Sequence, residues 1–350
     1  MMPFAAPRKM VENGGRFNAQ PAPDAKDCPK DALMPIDVLP TDPQIPKWLH
    51  AVPPTRPVLI AGPTASGKSG LALALARAQG RAVVNADALQ VYSNWRILTA
   101  RPSIEETAQA PHFLYGHLAA TQSYSVGQWL RDLADILASK QPVVIVGGTG
   151  LYFSALTQGL VNIPAISPEL RAQSTARHAE IGLAGMVADL DAPTAAQIDT
   201  ANPARVLRAW EVLQATGRGL AAWQADTGAP LLALAASCAL VLQPRPDWLA
   251  ARIDARFDHM ITNGALDEAR AALHNWDPSQ PSAKAIGAPE LVAHLRGDIS
   301  LPEAITRAKL ASRQYAKRQR TWFRSRMKAW HPLDPETLTW PQFCPQNSAP

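Results

Sequence analysis

Cysteine is scarce in this sequence. The three cysteines, Cys28, Cys238 and Cys344, lie too far apart to form a C-x-x-C pair. Neither a disulfide framework nor a zinc knuckle can therefore be read from the sequence. Without a disulfide framework the expected environment is reducing, and we predict a cytoplasmic protein.

Long apolar runs are also absent. The longest, Leu231–Leu242, has 12 residues and is interrupted by Ser237, whereas a membrane-spanning helix needs roughly 18 to 20. The run therefore predicts a buried core element. The N-terminus has no basic segment followed by an apolar one, so no secretory signal and no membrane partner are expected.

The composition is that of a globular protein with a mild basic excess. The chain has 350 residues, 47% of them hydrophobic, and its 34 Lys and Arg exceed its 29 Asp and Glu by five. This content excludes a wholly disordered chain, and the length predicts two domains or one domain with an insertion. The positive charge permits nucleic-acid binding, but a solvated lysine-rich surface would give the same balance.

Proline is concentrated at the N-terminus. Twelve of the 32 prolines fall within residues 1–57, a density that prevents regular backbone hydrogen bonding. We predict a disordered or loosely docked extension over residues 1–56. A start codon placed too far upstream would give the same pattern, with Met10 or Met34 as the later start, and the sequence leaves both interpretations open.

Strand and helix patterns alternate after this extension. Apolar runs at Val58–Ile60, Ala82–Asn85 and Val143–Val146 predict strands, and good helix formers from Lys68 to Gln79 predict a helix. This order predicts an α/β fold, a parallel sheet flanked by helices with functional loops at the carboxyl ends of its strands. The predicted parts are an extension (1–56), a first part of the core domain (57–161), a helical insertion domain (162–228), a second part of the core with a basic C-terminal helix (229–330), and a tail (331–350).

A glycine-rich loop separates the first predicted strand from its helix. It matches the pattern G-x-x-x-x-G-K-[ST] in full, over Gly62, Pro63, Thr64, Ala65, Ser66, Gly67, Lys68 and Ser69. In such a loop, backbone N–H groups surround phosphate oxygens, the lysine neutralises the outer phosphate, and the serine offers its hydroxyl to Mg²⁺. The alternative is a glycine-rich turn with a surface lysine, but the strand–loop–helix context favours phosphate binding. The loop leaves open whether the phosphates belong to a nucleotide or to another diphosphate.

An acidic residue is missing where many nucleotide hydrolases hold their metal ion. The strand Val143–Val146 ends in Gly147–Gly150 rather than in an aspartate. Asp87 follows the second strand instead, at the same predicted edge of the sheet. This aspartate is either a general base or an outer metal ligand, or else the N-cap of a following helix, and residue type alone does not separate these roles.

Six segments of the sequence together resemble the tRNA dimethylallyltransferase (tRNA isopentenyltransferase) family of bacterial type. The resemblance covers about residues 57–330, in the family's order. The segments are Gly62–Ser69, Asp87–Tyr92, Gly147–Tyr152, Arg205–Val212, Gly297–Ser300 and Tyr315–Arg324. The resemblance implies a P-loop NTPase-like sheet with a helical insertion, and no ATP requirement.

The same resemblance implies an activity and roles for individual residues. The family transfers a dimethylallyl group from dimethylallyl diphosphate, with Mg²⁺, to N6 of adenosine 37 in tRNAs that read codons beginning with U. By similarity Asp87 is the general base, Thr149 lies at the reaction channel, and Arg256 lies near the diphosphate. Ser69 would contact Mg²⁺.

An RNA-binding surface is expected on the C-terminal helix. Between residues 307 and 328 the sequence has no acidic residue, and its nine basic residues are Arg307, Lys309, Arg313, Lys317, Arg318, Arg320, Arg324, Arg326 and Lys328. Such a helix can lie along an RNA backbone, although a solvated basic face with its aromatics in the core is the alternative. The resemblance implies tRNA contacts from Asp87, Ala88, Leu89, Gln90, Arg171, Arg205, Arg208, Lys284, Lys317 and Arg318.

Some positions depart from the family pattern. Ala288 and Pro289 stand where the family usually has an aromatic and a basic residue, which removes one expected RNA contact. The close cysteine pair of a C-terminal zinc finger, which eukaryotic relatives have, is missing too. Two other functions are alternatives: a small-molecule or nucleotide kinase, and a non-catalytic RNA-binding protein with a degenerate phosphate loop. With no signal for oligomerisation, a monomer is expected.

Overall fold

A six-stranded parallel sheet forms the centre of the fold. The computed structural model describes residues 45–338. The strands are β1 (Val58–Ala61), β2 (Ala82–Asn85), β3 (His112–Phe113), β4 (Val143–Gly147), β5 (Cys238–Leu242) and β6 (His331–Leu333). Their order across the sheet is β3-β2-β4-β1-β5-β6, and all five pairings are parallel. The predicted α/β fold is therefore confirmed.

Helices surround the sheet and form the segments between its strands. The helices before β5 are α1 (Lys47–His50), α2 (Lys68–Gln79), α3 (Ile104–Gln109), α4 (Val126–Ala138), α5 (Gly150–Gln158), α6 (Pro168–Ala188), α7 (Ala192–Gln197), α8 (Pro203–Thr216) and α9 (Leu220–Ala225). After β5 follow α10 (Pro246–Thr262), α11 (Ala265–Ala272), α12 (Ala288–Leu295) and α13 (Leu301–Arg326). Helix α6 is interrupted at Gly182, whose backbone is not helical. No helix in the described range is long and apolar enough to cross a membrane.

Both faces of the sheet are buried. Leu59 and Ile145 belong to a cluster with Trp129 of α4, while Ile60 belongs to a second cluster with Leu71 of α2. Consecutive strand residues point to opposite faces, so strands covered on both sides are apolar throughout. This explains why short continuous apolar runs were sufficient to predict β1, β2 and β4.

A third cluster joins the last four helices to the loop after β2. Trp95 and Leu98 of that loop pack with Phe257 of α10, Leu291 of α12 and Ala304 of α13. All five are at most 6% exposed. This packing brings α10 and α13 to the carboxyl end of the sheet, beside the glycine-rich loop.

The prolines of the segment 162–228 begin helices rather than only breaking them. Pro168, Pro193 and Pro203 lie in the first turns of α6, α7 and α8, where a missing backbone N–H has no cost. A small cluster that includes Met186 and Val206 packs this segment internally. That it is a separate domain stays a prediction, because residues 45–338 all belong to one compact unit.

The predicted N-terminal boundary differs from the structure. Residues 45–56 contain α1 and are docked by Arg81, which is fully buried and donates hydrogen bonds to backbone carbonyls of this segment. The accepting carbonyls are those of Val52, Pro53, Pro54 and Arg56, at 2.7 to 3.3 Å. Proline has no backbone N–H, so a proline-rich segment forms few backbone hydrogen bonds of its own. Here the side chain of Arg81 donates to the backbone carbonyls instead. The rest of the predicted extension, residues 1–44, lies outside the described residues.

Two predictions near the second part of the core also differ. The run Leu231–Leu242 is a strand only from Cys238, because Leu234–Ala236 forms a 3₁₀ turn that Ser237 closes through hydrogen bonds to the Leu234 carbonyl. Strand β6 lies within the predicted tail, where Leu240 pairs with His331. A three-residue strand that contains proline has almost no recognisable sequence pattern. Strand β6 forms only because β5, far away in the chain, offers an edge to pair with. Residues 339–350 of the tail lie outside the described residues.

Candidate active site

The glycine-rich loop connects β1 to α2 with two residues in left-handed backbone conformation. Gly67 has φ 88°, and Ala65 has φ 62°. Glycine adopts this conformation freely, but alanine is held there at a cost. Ala65 is packed against Ile253 of α10 and Ala316 of α13, and its carbonyl accepts a hydrogen bond of 3.0 Å from Arg252 Nε. The shape of the loop is therefore fixed by two helices from the distant C-terminal part of the chain.

Three cations and one carboxylate lie around this loop. Burial lowers the pKa of Lys68 to about 8, with Asp87 opposing the shift and Arg256 adding to it. Burial also lowers the pKa of Arg256 to about 10, assisted by Arg252 and opposed by Asp87. Burial lowers the pKa of Arg252 too. Because one carboxylate cannot balance one buried and two half-buried cations, the site is electrostatically suited to a polyanion.

Arg256 reaches the glycine-rich loop directly. Its guanidinium donates a hydrogen bond to Thr64 Oγ1. Arg256 is half-buried at the cradle formed by the loop. Ser69 is exposed at the first turn of α2, and Ser66 Oγ is buried with no hydrogen-bond partner among residues 45–338. These groups give the cradle both the charges and the unsatisfied donors that a phosphate site needs.

Buried Asn85 shapes the turn that carries Asp87. Its side-chain oxygen accepts the Asp87 N–H at 2.8 Å, and its amide donates to the carbonyls of Asp87 and Leu114, both at 2.9 Å. Asp87 Oδ1 accepts the Leu89 N–H at 3.0 Å. The residues after Asp87 form turns and not a helix, so Asp87 is not a helix N-cap. Its Oδ2 accepts no hydrogen bond from residues 45–338, which leaves this oxygen available to take a proton.

The loop Gly147–Gly150 packs closely against its neighbours. A Cβ at Gly147 would lie 2.0 Å from the Ala86 carbonyl oxygen, and a Cβ at Gly148 would lie 2.3 Å from Gln319 Nε2. A Cβ at Gly150 would lie 2.2 Å from the Trp322 ring. These positions must be glycine because α13 and the Asp87 turn approach so closely. Thr149 Oγ1 accepts the Ala88 N–H at 2.9 Å, so this threonine joins the two loops.

A cavity opens where these loops meet. Its polar wall contains Thr64, Asp87 and Arg256, and its other residues are Leu89, Leu98, Thr99, Ile253, Phe257, Met260, Ile286, Ser312 and Tyr315. The cavity therefore has a charged end at the phosphate cradle and an apolar side from α10 and the loop after β2. Such a pocket suits a ligand with a polyanionic group and a short hydrocarbon group.

Two side chains hold the cavity wall in place from behind. The carboxylate of Glu268 accepts hydrogen bonds from the backbone N–H groups of Arg96, Ile97 and Leu98. The side-chain amide of Gln90 donates to the carbonyls of Thr99 and Ala100 at 2.8 and 2.9 Å. Gln90, for which the resemblance implies a tRNA contact, is 9% exposed and its amide nitrogen is used within the protein.

The basic helix α13 has two different halves. Arg307, Lys309 and Arg313 form ion pairs with Glu303, Asp258 and Asp254, respectively. The later basic residues have no ion-pair partner in the part of the chain that the structure describes; they are Lys317, Arg318, Arg320, Arg324, Arg326 and Lys328. All except Arg320 are exposed, whereas Tyr315, Trp322 and Phe323 pack inward. Only the second half of α13 therefore offers unpaired positive charge.

The remaining predicted RNA contacts are surface residues outside the cavity. Arg171 on α6, Arg205 on α8 and Lys284 are exposed. Arg208 forms an ion pair of 3.8 Å with Glu211. Of the residues predicted from similarity around Asp87, Ala88 and Leu89 are half-buried, and Leu89 lines the cavity. Their roles in RNA binding stay predictions.

Sequence reasoning assigned no role to Gln319, Arg252 or Asn85. Gln319 lies four residues after Tyr315 and three before Trp322, a spacing that puts the three on one helix face. Arg252 lies one turn before Arg256 on α10 by the same rule. These spacings place Gln319 and Arg252 on defined faces of α13 and α10. They do not show which loops those faces contact, because that depends on tertiary packing.

Comparison with known proteins agrees with this geometry. The family model described as IPP transferase matches residues 90–326, and the one described as isopentenyl transferase matches residues 56–115. A relative from Cereibacter sphaeroides named tRNA dimethylallyltransferase is 67% identical over 285 residues, which are 81% of this chain and 91% of the relative.

Solved structures show the same architecture. The full-length tRNA isopentenylpyrophosphate transferase from Bacillus halodurans is 31% identical with a TM-score of 0.56, and the match covers 80% of this chain and 90% of that one. A eukaryotic dimethylallyltransferase acting on tRNA has a TM-score of 0.69 at 24% identity, over 80% of this chain and 74% of that one, and so supports the fold alone. From the extent of the family match and the identity to its relatives, the chain belongs to the IPP transferase family.

Proposed function

We propose that this protein transfers a dimethylallyl group from dimethylallyl diphosphate to N6 of adenosine 37 in tRNAs that read codons beginning with U. One observation carries the proposal: a single cavity is bounded by Thr64 and Arg256 at the phosphate cradle, by Asp87 and by an apolar wall. Its relatives are named for the same transfer. Family membership also favours prenyl transfer over the kinase alternative.

The reaction needs charge stabilisation more than it needs a strong nucleophile. The N6–carbon bond forms as the carbon–oxygen bond to the diphosphate breaks, and pyrophosphate leaves with the electron pair. Lys68, Arg256 and the loop N–H groups would stabilise the growing negative charge, because preorganised charges and donors act more strongly in a site that excludes water. Asp87 Oδ2 would take the proton that the N6 amine loses. The apolar wall with Leu98, Phe257 and Met260 would hold the hydrocarbon group and exclude water.

The donor set of the cradle fits Mg²⁺. Residues 45–338 contain no group of three or more His, Cys, Asp or Glu that could enclose a metal ion. Mg²⁺ usually keeps several waters and binds through one or two protein oxygens and substrate phosphates. The exposed hydroxyl of Ser69 would hold the ion together with diphosphate oxygens, and the bound ion would add positive charge to the leaving group.

The acceptor would bind along the second half of α13. Its unpaired basic residues suit the phosphates of an anticodon stem-loop. A base inside a stacked loop cannot reach Asp87, so adenosine 37 would be extruded into the cavity. We further propose a cytoplasmic monomer.

A direct assay compares two donors on one acceptor. The protein is incubated with Mg²⁺ and an unmodified anticodon stem-loop, together with either dimethylallyl diphosphate or ATP, and the RNA is weighed by mass spectrometry. The proposal expects a gain of one dimethylallyl group with the first donor only, and no gain when adenosine 37 is replaced by guanosine. A phosphate gained from ATP, or no gain although both substrates bind, would contradict it.

A further inference from the structure

The side-chain amide of Gln319 connects the two substrate loops to α13. Its Oε1 accepts the Thr64 N–H of the phosphate cradle at 2.9 Å, and its Nε2 donates to the Gly148 carbonyl at 2.9 Å. Gln319 is 6% exposed. One amide therefore satisfies a donor in one loop and an acceptor in the other, and a buried amide of this kind is costly to disturb.

The position of Gln319 on α13 links this connection to the basic surface. Lys317, Arg318 and Arg320 lie within two residues of it in the same helix and have no ion-pair partner among residues 45–338. Trp322, one turn later on α13, lies close to Gly150, which belongs to the same loop as Gly148. A helix is stiff over such distances, so a displacement of its basic side displaces the amide as well.

We propose that Gln319 is a positioning residue that couples RNA binding on α13 to diphosphate binding in the cradle. This inference rests on the proposed function, because it needs both substrates. RNA bound to the second half of α13 fixes the amide, and the amide fixes Thr64 and Gly148. The diphosphate then meets a pre-organised cradle, which lowers the entropy lost on binding. Coupling is reciprocal, so bound diphosphate raises the affinity for RNA by the same factor.

The test measures the coupling itself in the absence of turnover. Inorganic pyrophosphate with Mg²⁺ is titrated into the full-length protein by calorimetry, with and without a saturating unmodified anticodon stem-loop. For the unsubstituted protein we expect RNA to raise pyrophosphate affinity by about five-fold or more. In Gln319→Met, which keeps the side-chain length but loses both hydrogen bonds, the ratio should fall to about one. Gln314→Met on the exposed side of the same helix is the matched control and should keep the full ratio.

A second variant separates positioning from general damage. In Gln319→Glu the protonated acid can replace both hydrogen bonds of the amide, whereas the carboxylate is only an acceptor and has nothing to donate to Gly148. Its coupling relative to the unsubstituted protein at the same pH should therefore recover as the pH falls from about 8 to about 4, where most of an ordinary glutamate side chain is protonated. The comparison at equal pH removes the titration of Lys68 and pyrophosphate, which both proteins share.

Each result has a defined meaning. Independent binding of RNA and pyrophosphate to the unsubstituted protein overturns the inference and leaves the proposed function standing. Coupling that survives in Gln319→Met, or that does not recover in Gln319→Glu, also overturns it. Failure of the unsubstituted protein to bind the stem-loop contradicts the proposed function, and the inference with it.

Discussion

Replacing Lys68 by methionine is expected to stabilise the ligand-free protein while it abolishes diphosphate binding. Lys68 is 8% exposed, and burial lowers its pKa from 10.5 to about 8. At neutral pH the folded protein must keep the ammonium charged in surroundings that disfavour it. The shift of 10.5 − 8 = 2.5 corresponds to about 3 kcal/mol of unfavourable free energy, at about 1.4 kcal/mol per pKa unit. Methionine has a similar length and no charge, so the variant loses this cost.

The pH dependence follows from proton linkage. Below the folded-state pKa of about 8, Lys68 is protonated in both states and the cost is present in full. Between about 8 and 10.5 the unfolded chain keeps a proton that the folded protein has lost, so stability rises with pH. The Lys68→Met protein has no such rise. Its advantage of about 3 kcal/mol at pH 7 should therefore shrink toward zero above pH 10.

Urea unfolding of the ligand-free proteins at a series of pH values measures this difference. Lys328→Met removes an exposed lysine and serves as the control, with no expected change in stability at any pH. The same series with Mg²⁺-pyrophosphate should show strong stabilisation of the unsubstituted protein and little of Lys68→Met, because a bound ligand stabilises only the state that binds it. Equal or lower stability of ligand-free Lys68→Met at pH 7, or an advantage that does not depend on pH, would refute the reasoning.

Three further perturbations test other parts of the structure. Arg81→Met removes the Arg81 hydrogen bonds to backbone carbonyls of residues 52–56 and should lower the free energy of unfolding by about 3 kcal/mol or more. Early cleavage at residues 45–56 is expected in limited proteolysis, and an unchanged digest would contradict the docking of this segment. Lys317→Ala should weaken stem-loop binding and reduce the slope of log affinity against log salt by about one. Arg307→Ala should change neither quantity, because the charge of Arg307 is paired with Glu303. Equal effects of the two substitutions would contradict the division of α13 into a paired and an unpaired half. Gly150→Ala places a methyl group against Trp322 and should cost about 1 to 3 kcal/mol, visible as a lower melting temperature; an unchanged melting temperature would contradict the close packing.

The sequence was informative where local rules decide the structure. The strand–loop–helix around Lys68 was predictable because its glycines, lysine and serine each have a local reason for their positions. Asp87 could be placed near this loop because carboxyl ends of parallel strands share one edge of the sheet. The apolar run Leu231–Leu242 predicted that the chain returns to the core after residues 162–228, but not that its strand would pair with β1.

Contacts between distant segments were not predictable from patterns. The left-handed Ala65 is held by α10 and α13, which lie about 190 and 250 residues later in the chain. Gln319 looks like one polar residue in a basic helix until its partners Thr64 and Gly148 are known. Strand β6 was assigned to a tail because its pairing with β5 depends on the tertiary fold. The segment before β1 was assigned to an extension because its docking depends on hydrogen bonds from Arg81.

The positive charge of α13 is not uniform along the helix. A count of charge over residues 307–328 predicts one continuous RNA surface. In the structure the acidic partners come from Glu303 and from α10, so the first half of α13 is neutralised and attached to the protein. The second half contains the unpaired charge and Gln319 together.

The central claim is that Asp87 accepts the N6 proton within a cavity formed by the phosphate cradle and α13. It is tested most directly by the single-turnover rate of prenyl transfer in Asp87→Asn, measured with dimethylallyl diphosphate and the stem-loop both saturating. Asparagine keeps the oxygen that accepts the Leu89 N–H but cannot act as a base. The account predicts a rate lower by about 10² to 10⁴-fold, with dissociation constants for pyrophosphate and stem-loop within about two-fold of the unsubstituted protein. A rate close to that of the unsubstituted protein, or a loss of RNA binding as large as the loss of rate, would contradict it.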